Sequence, residues 1–365
     1  MTALLVIAIL ILLIIGHELG HFVVAKLMRV RVVEFGLGYP PRAFRIGRWG
    51  GTEYTINWLP FGGFVRLYGE EHEELTEKQR WKSLAGAPWY AQVLILSAGV
   101  LANILIGWVL FTAAFMQGLP MSVPEGTEGA RLVVNGVLPA SPADAAGIQT
   151  GDRIVAVEGQ KGTKVETLEP GAVIAFVQAN GGKPISVTYV REDTTNTVMM
   201  IPAHAVLVED AGRPALGVEL ALVSDTHMNF LEAAASGFVR TLGALKQVSL
   251  GLWGLLRDAF IGKADLSSIV GPVGLVSVVD TAVGYGLGQI LGIAAFISIN
   301  LAIINLIPIP ALDGGRLLFV GLETVFRRQM PNLLAHSINL GGFALIILLM
   351  IIVTYQDIAR LFHLG

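Results

Sequence analysis

Long apolar runs separated by polar segments dominate the hydropathy pattern of this chain. Four runs have the length and composition of transmembrane helices: residues 2–25, 92–116, 288–307 and 338–354. The first run lacks the basic start and the small-residue cleavage site of a secretory signal, so we expect it to stay in the protein as a span. The pattern predicts an α-helical integral membrane protein with about four transmembrane helices.

Between residues 125 and 222 the pattern changes to the short strands and polar turns of a soluble α+β domain. Ser141 and Pro142 followed by Gly147 are typical of a short capped helix. We therefore divide the chain into a first membrane part (1–124), an inserted domain (125–222), a connecting region (223–287) and a second membrane part (288–365).

The connecting region has apolar residues at helical spacing between about 227 and 265, with Arg240, Lys246 and Arg257 among them. This pattern predicts amphipathic helices that lie on the outer membrane surface. A fifth span is the alternative. We disfavour it because these three charges and Asp258 interrupt every window of about twenty residues.

Basic residues orient the spans. Because Lys and Arg are enriched in cytoplasmic loops, both loops that carry them are predicted to be cytoplasmic. The N-terminus, residues 117–287 and the C-terminus are then outside the cytoplasm. The residues are Lys26, Arg29, Arg31, Arg42, Arg45, Arg48, Arg66, Lys78, Arg80 and Lys82 in the first loop, and Arg316, Arg327 and Arg328 in the last.

Composition agrees with a membrane protein: 53% of residues are hydrophobic, 15% are charged and the mean hydropathy is +0.65. The net charge of −3 and the lack of a basic stripe interleaved with aromatics give no sign of nucleic-acid binding. The chain has no cysteine, which excludes disulfides, thiolate metal ligands and a cysteine nucleophile.

The first span contains an HExxH motif, His17-Glu18-Leu19-Gly20-His21. Histidines four residues apart on a helix share one face, so both imidazoles can reach one tetrahedral Zn²⁺ while Glu18 reaches the attacking water as general base. Such polar groups are costly inside a span and are functional by default. The motif predicts one zinc per chain and a metalloprotease centre toward the cytoplasmic side of the membrane.

A catalytic zinc usually has three protein ligands, and Asp313 is the candidate for the third. It follows the third span at the predicted membrane level of the HExxH motif. Pro308 and Pro310 interrupt the helix there, and Gly314-Gly315 lets the backbone fold close to a metal. The alternative is that Asp313 only caps a helix that begins near Arg316.

The segment 33–69 is predicted to be a β-hairpin or small sheet on the cytoplasmic side. Gly and Pro exclude a helix at its start, and residues 53–59 are β-prone. We expect it to dip toward the zinc and line a cavity there, because irregular backbone at membrane depth needs protein or water to satisfy its polar groups. A solvated cytoplasmic hairpin is the alternative.

Three motifs and the order of the domains resemble the site-2 protease family, and within it the bacterial RseP and RasP intramembrane zinc proteases. The motifs are the GHELGHF run, the run from Asn305 to Gly315 that contains Asp313, and the turn 271–274. In the inserted domain, Ser141 to Ile148 followed by Gly151 to Ile154 resembles the circularly permuted PDZ domains of bacterial envelope proteases. This chain has one such domain, whereas RseP has two.

The resemblance implies His17, His21 and Asp313 as zinc ligands and Glu18 as catalytic base. It also implies that a membrane-dipping hairpin over residues 53–67 receives the substrate and that Asn305 contacts the substrate strand. The hairpin residues expected to bind substrate are Tyr54, Ile56, Trp58, Gly62 and Gly63.

By the same resemblance the protein is a multi-pass protein of the bacterial inner membrane that performs regulated intramembrane proteolysis. The expected substrates are single-pass membrane proteins, namely anti-sigma factors after a first cleavage and remnant signal peptides. A PDZ groove takes a peptide as an added strand, so a peptide C-terminus is its expected ligand, although the domain could instead be a spacer.

Two other classes of function were weighed. A non-catalytic membrane adaptor would recruit partners through the PDZ groove, but such a protein would be free to lose Glu18. A metal transporter would need polar residues along a pore, and outside the two motifs the spans carry little beyond Asn103, Ser298 and Asn300.

Overall fold

The computed structural model describes every residue except 70–81, 192–193, 205, 207–211, 226, 264–269, 329–330 and 362–365. The chain divides into two compact units, a membrane unit (Met1–Gln117 with Met228–Gly365) and an inserted unit (Gly118–His227). The elements in chain order are α1 (Thr2–Leu27), β1 (Val32–Trp49), β2 (Thr52–Leu67), α2 (Trp89–Met116), β3 (Pro120–Ser122), β4 (Arg131–Val137), α3 (Pro142–Ala145), β5 (Arg153–Glu158), α4 (Pro170–Ala179), β6 (Ile185–Arg191), β7 (Thr194–Met200), β8 (Val218–Asp225), α5 (Phe230–Phe260), α6 (Pro272–Gly284), α7 (Leu287–Leu306), α8 (Asp313–Phe326) and α9 (Asn332–Leu361).

Four helices of the described chain are long and apolar enough to cross a membrane, as the hydropathy pattern predicts: α1, α2, α7 and residues Ser337–Ala359 of α9. Helices α1, α2 and α9 extend beyond the predicted runs, most of all α9, which continues on both sides of residues 338–354, whereas α7 ends at Leu306, before the predicted end at 307. Polar residues near the ends of a span lower the local hydropathy without ending the helix, so hydropathy alone underestimates helix length.

The helices α1 and α2 pack closely because glycines on α1 leave room for groups of α2, the backbone and a small side chain at Gly20 and a large side chain at Gly16. A Cβ at Gly20 would lie 2.7 Å from the Ala102 Cβ, and one at Gly16 would overlap the Ile106 side chain. Small residues at such contacts let two helix backbones approach, which is a common way for membrane helices to associate. This contact places the HExxH face of α1 against α2.

Strands β1 and β2 form the predicted β structure in residues 33–69, with a tight turn at Gly50-Gly51, where both glycines have positive φ. The strands fold back on themselves. Phe35 of β1, for example, is paired with both Val65 and Tyr54 of β2. The first part of β1, residues 34–37, therefore lies between the two halves of β2, a more compact arrangement than a simple hairpin.

A buried acid stabilises this small sheet. The Glu34 carboxylate accepts hydrogen bonds from the Thr55 hydroxyl at 2.8 Å and from the Arg42 guanidinium at 3.1 Å, and it forms an ion pair with Arg66 at 2.9 Å. A buried carboxylate needs this degree of pairing to offset its desolvation. The sheet is joined to α1 and α2 by an apolar core that contains Ala25, Val30, Val32, Val65, Leu67, Leu84 and Ile95.

The connecting region forms the 31-residue helix α5, which ends at Phe260, and the shorter helix α6. Within the described chain, α5 is not among the helices apolar enough to be a span. Its buried side contacts α2: the Trp108 indole N–H donates to the Ala234 carbonyl at 2.9 Å, and Gly237 lies against Thr112. Phe238 and Trp253 are exposed apolar side chains on α5.

The inserted unit contains one six-stranded antiparallel sheet with the strand order β3-β8-β4-β5-β6-β7, together with the short helices α3 and α4. Ser141 caps α3 by accepting a hydrogen bond from the Asp144 N–H at 3.2 Å. The predicted limits, 125 and 222, lie inside this unit, because β3 and the end of β8 pair with each other outside them. Its core contains Leu132, Val134, Ile154, Val157, Ile185 and Val187.

Candidate metal centre

Three side chains that sequence reasoning assigned to zinc meet in the membrane unit. The Oδ2 atom of Asp313 lies 3.0 Å from the Nε2 atom of His17 and 3.1 Å from the Nε2 atom of His21. The two Nε2 atoms are 3.2 Å apart. The histidines are buried and the aspartate is half-buried. Among the described residues, these three form the one group of His, Asp or Glu side chains whose atoms lie close enough together to hold a metal ion.

The spacing of these atoms fits a tetrahedral zinc site. With metal–ligand bonds of about 2.0–2.1 Å, neighbouring ligand atoms of a tetrahedron are about 3.3 Å apart. The three distances between Asp313, His17 and His21 are within a few tenths of an ångström of this value. Two imidazoles and one carboxylate are also a donor set typical of catalytic zinc, which needs a fourth, open position for water.

Gly99 of α2 lets the two imidazoles lie directly against the helix. A Cβ built on Gly99 would overlap the Nε2 atom of His21 and would lie 2.6 Å from both the Nε2 and the Cε1 atoms of His17. Any side chain at this position would therefore displace both imidazoles. The spacing of the ligand atoms and their chemistry show that the residues fit zinc.

The other nitrogen of each imidazole faces α2. The Nδ1 atom of His21 lies 2.8 Å from the carbonyl oxygen of Ile95, and the Nδ1 atom of His17 lies 3.2 Å from the amide of Asn103. Ile95, Gly99 and Asn103 are spaced by four residues and share one helix face. A hydrogen bond from Nδ1–H to the Ile95 carbonyl leaves the Nε2 lone pair of His21 directed toward the metal position.

The loop after α7 folds tightly against the first turn of α8 and thereby brings Asp313 to the histidines. A Cβ at Gly314 would overlap the carbonyl oxygens of Leu306 and Ile307, and one at Gly315 would overlap that of Ile309. The two glycines therefore permit the close approach that the sequence suggested. Helix α8 begins at Asp313 itself, its N-cap residue is Leu312, and no side chain caps it. The capping alternative therefore lacks its hydrogen bond.

Asp313 is negatively charged in this environment. Burial alone would raise the pKa of its carboxyl group, but the hydrogen bonds with His17 and His21 lower that pKa well below its usual range. An anionic oxygen at this point is the form that binds a cation.

Glu18 is half-buried and lies next to β2. A Cβ at Gly63 would be 3.2 Å from the Cγ atom of Glu18. The ionisable groups that interact electrostatically with Glu18 are His21, His17, Asp313 and Arg316. The predicted base therefore lies beside the ligand cluster and beside the strand that is expected to receive substrate.

The predicted substrate-binding residues occupy different surroundings. Gly63 is at Glu18, and Gly62 precedes it with φ of 101°. The Nδ2 atom of Asn305 lies 3.5 Å from the Nε2 atom of His17, at the outer limit of a hydrogen bond. Tyr54 packs with Phe22, Phe35 and Trp49, whereas Ile56 and Trp58 have exposed fractions of 41% and 68%.

Sequence reasoning did not assign roles to four residues that the structure places at the site: Ile95, Gly99, Asn103 and Arg316. Asn103 was noticed only as one of few polar residues in the spans. In the sequence, an amide residue inside an apolar helix, four residues after a glycine, was a signal that could have linked α2 to the histidines. Nothing local distinguished Ile95, because its contribution is a backbone carbonyl.

Comparison with known proteins gives a family for residues 5–349, which match the model of peptidase family M50. The chain is also similar to proteins named zinc metalloprotease RasP. The relative from Shouchella clausii is 30% identical over 438 aligned residues, covering 99% of each chain. Those from Oceanobacillus iheyensis and Geobacillus kaustophilus are 28% and 26% identical, and each alignment covers at least 95% of both chains.

Proposed function

We propose that this chain, a membrane zinc metalloprotease that belongs to peptidase family M50, cleaves single-pass membrane proteins inside the bilayer. In this proposal His17, His21 and Asp313 are the zinc ligands. The observation that carries the proposal is the meeting of these three side chains beside Glu18, on helices with the character of membrane spans. The adaptor alternative does not account for a protease family that matches nearly the whole chain.

In the proposed reaction Glu18 accepts a proton from the attacking water and delivers it to the nitrogen of the leaving amine. A C–O bond forms at the scissile carbonyl as the C–N bond breaks. Zinc, when bound, lowers the pKa of the water and polarises the carbonyl. The Nδ1 contacts on α2 hold the two imidazoles in place during these proton transfers.

We propose that substrate is held as an extended strand beside β2. A transmembrane helix keeps its carbonyls in internal hydrogen bonds, so a substrate must unwind before its peptide bond can be attacked. At Gly63 the strand lies so close to Glu18 that a Cβ there would be 3.2 Å from the Cγ atom of Glu18, so a substrate strand that pairs near this point would lie close to the proposed base. Asn305 can contact that backbone near His17, and Tyr54, Ile56 and Trp58 line the sheet farther along β2.

The inserted unit is proposed to be a PDZ-like domain outside the cytoplasm. Its support is the capped turn at Ser141, the six-stranded sheet and α4, since a PDZ domain binds a peptide C-terminus between a strand and a helix. Substrates proposed from the family resemblance are anti-sigma factors after a first cleavage and remnant signal peptides. The active site is proposed near the cytoplasmic side of a bacterial inner membrane, with both termini outside, because the first loop is rich in Lys and Arg.

The test uses purified protein in detergent with a single-pass model substrate. Wild type should contain one zinc and cleave the substrate within its apolar segment. Glu18→Gln should retain zinc and lose cleavage by at least about 100-fold, because the amide keeps the shape but cannot accept the proton. Cleavage by Glu18→Gln at a rate near that of wild type would refute the proposed mechanism.

The proposed orientation has its own test, since the chain has no cysteine. In intact cells a cysteine introduced at Thr163 should react with a membrane-impermeant thiol reagent. One introduced at Arg48 should react only after the cytoplasmic face is opened. The reverse pattern would overturn the orientation and leave the zinc chemistry unaffected.

A further inference from the structure

Asn103 is a fully buried amide in the middle of α2, a helix otherwise suited to lipid. Its Nδ2 atom lies 3.2 Å from the Nδ1 atom of His17. Its Oδ1 atom is buried without a hydrogen-bond partner in the described chain. Burying an amide in an apolar helix is costly, so the contact with His17 is a candidate reason for its presence.

The position of Asn103 is fixed by its own backbone. The Ser298 hydroxyl of α7 donates to the Asn103 carbonyl oxygen at 2.8 Å, and both residues are fully buried. Helices α2 and α7 therefore meet at this point, and the side chain of Asn103 leaves the contact on the side of His17. A side chain held in this way can orient another group.

The chemistry of imidazole requires Asn103 to provide a hydrogen-bond acceptor for His17. His17 can give the Nε2 lone pair to a metal only when Nδ1 carries the proton, and that proton then needs an acceptor. The two ends of an amide have nearly the same size and shape, so rotation about its last bond exchanges Oδ1 and Nδ2 without displacing neighbours. After this exchange, Oδ1 accepts the proton of Nδ1 at the distance that Nδ2 now occupies.

We propose that Asn103 is a positioning residue that accepts a hydrogen bond from Nδ1–H of His17 and so presents Nε2 to zinc. The proposal rests on the zinc site proposed above. It gives the two histidines equivalent support from one helix, His21 from the Ile95 carbonyl and His17 from the Asn103 amide. Asn103 would not touch substrate or metal itself.

The experiment measures the zinc dissociation constant of the purified full-length protein by competition with a chelator. Asn103→Leu has nearly the same size and no acceptor, so we expect zinc binding to weaken by about 10- to 100-fold. Asn103→Asp keeps an oxygen at this position, and we expect it to bind zinc at least as tightly as wild type. The absorption spectrum of the Co²⁺-substituted protein should change for Asn103→Leu, because the orientation of His17 is altered.

Two control variants separate this proposal from other causes. Thr112→Val removes the hydrogen bond from the Thr112 hydroxyl to the Trp108 carbonyl oxygen on the same helix α2 without touching Asn103 or His17, and it should leave zinc affinity unchanged. His21→Ala should bind zinc far more weakly than any of these variants. If His21→Ala binds zinc like wild type, the proposed site itself is wrong, whatever Asn103 does.

Folding is followed by thermal unfolding of the zinc-free proteins, and Asn103→Ala replaces Asn103→Leu if the latter does not fold. Folded Asn103→Leu or Asn103→Ala with wild-type zinc affinity would overturn the proposal. Equal weakening in folded Asn103→Leu and Asn103→Asp would also overturn it, because the oxygen would then be irrelevant. So would a loss of zinc affinity in folded Thr112→Val as large as that in Asn103→Leu.

Discussion

Two buried or half-buried carboxylates of the membrane unit, Asp313 and Asp357, are stabilised by different kinds of partner. One oxygen of Asp313 faces the imidazoles of His17 and His21. Asp357, only 2% exposed, accepts hydrogen bonds from two backbone N–H groups, those of Gly271 at 3.2 Å and Gly274 at 2.8 Å. Both acids lie in helices, and both are far in sequence from their partners.

The partners of the two acids differ in whether they can also bind a metal. The N–H groups at the start of α6, together with the partial positive charge of a helix N-terminus, stabilise the Asp357 carboxylate but have no lone pairs with which to bind a metal. The imidazoles that face Asp313 have lone pairs, so the same three atoms can bind one cation. Of these two acids, only Asp313 has partners that could also act as metal ligands.

Asp357 helps to attach helix α9 to the rest of the membrane unit. It belongs to the apolar segment Ser337–Ala359 of α9, and only 6% of an 18-residue apolar window of this segment is buried inside the described protein. A helix with so little packing gains much of its attachment from a few contacts. The turn 271–274, one of the motifs that the sequence suggested, is thus explained as the partner of Asp357.

The largest expected effect comes from replacing the acid in the proposed site. Asp313→Asn removes the only anionic ligand, so we expect zinc affinity to fall by at least about 100-fold and cleavage to be lost. Zinc content and proteolysis of a model substrate are measured side by side. If the variant keeps both its zinc and its proteolytic activity, Asp313 is not a zinc ligand.

Gly99→Ala should have the next largest effect, because the new methyl group would overlap both imidazoles and displace the two ligand nitrogens. We expect zinc affinity to fall by about 10-fold or more while the protein still folds. Gly243→Ala is the matched control, since a Cβ at Gly243 has open space around it. Equal zinc affinity in the two variants would show that the ion is held elsewhere.

Asp357→Ala should affect stability and leave zinc binding intact. Hydrogen bonds to a charged group contribute about 1.5–3 kcal/mol each, so losing two of them should lower the free energy of unfolding by on the order of 3 kcal/mol. Thermal unfolding in detergent measures this as a decrease in Tm. A loss of zinc in the folded variant would contradict the division of roles between the two acids.

Gly271→Ala should produce a smaller decrease in Tm. Its Cβ would lie 2.6 Å from the Oδ2 atom of Asp357 and 2.6 Å from Val353, so α9 must shift. The expected cost is about 1–3 kcal/mol. Gly284→Ala in the same helix α6 has open space and should be neutral or slightly stabilising. If the two variants unfold at the same temperature, the contact between Asp357 and α6 is unimportant for stability.

The sequence predicted the four spans because hydropathy over twenty residues depends on local composition alone. The HExxH residues were predictable for a similar reason, since their common face follows from helix geometry within five residues. Asp313 was found through the prolines and glycines around it, although its 296-residue separation from His17 is bridged only by folding.

The features that sequence reasoning missed depend on contacts between distant segments. Asn103 and Ile95 reach the histidines only because α1 and α2 pack with Gly20 against Ala102. The double pairing of Phe35 in β1 depends on how two strands bend, which alternation of residue types does not encode. In the sequence, Asp357 is an ordinary polar residue near the end of a span, and its contact with the turn 271–274 is seen only in the structure.

The support of His21 by the carbonyl oxygen of Ile95 has a consequence for natural and engineered variation. Every amino acid has a backbone carbonyl, so no substitution at residue 95 removes this acceptor as long as α2 keeps its course. The support of His17 depends on one side chain and can be lost by a single nucleotide change in the codon of Asn103. Selection for graded changes in metal affinity would therefore find variants at position 103 and not at position 95.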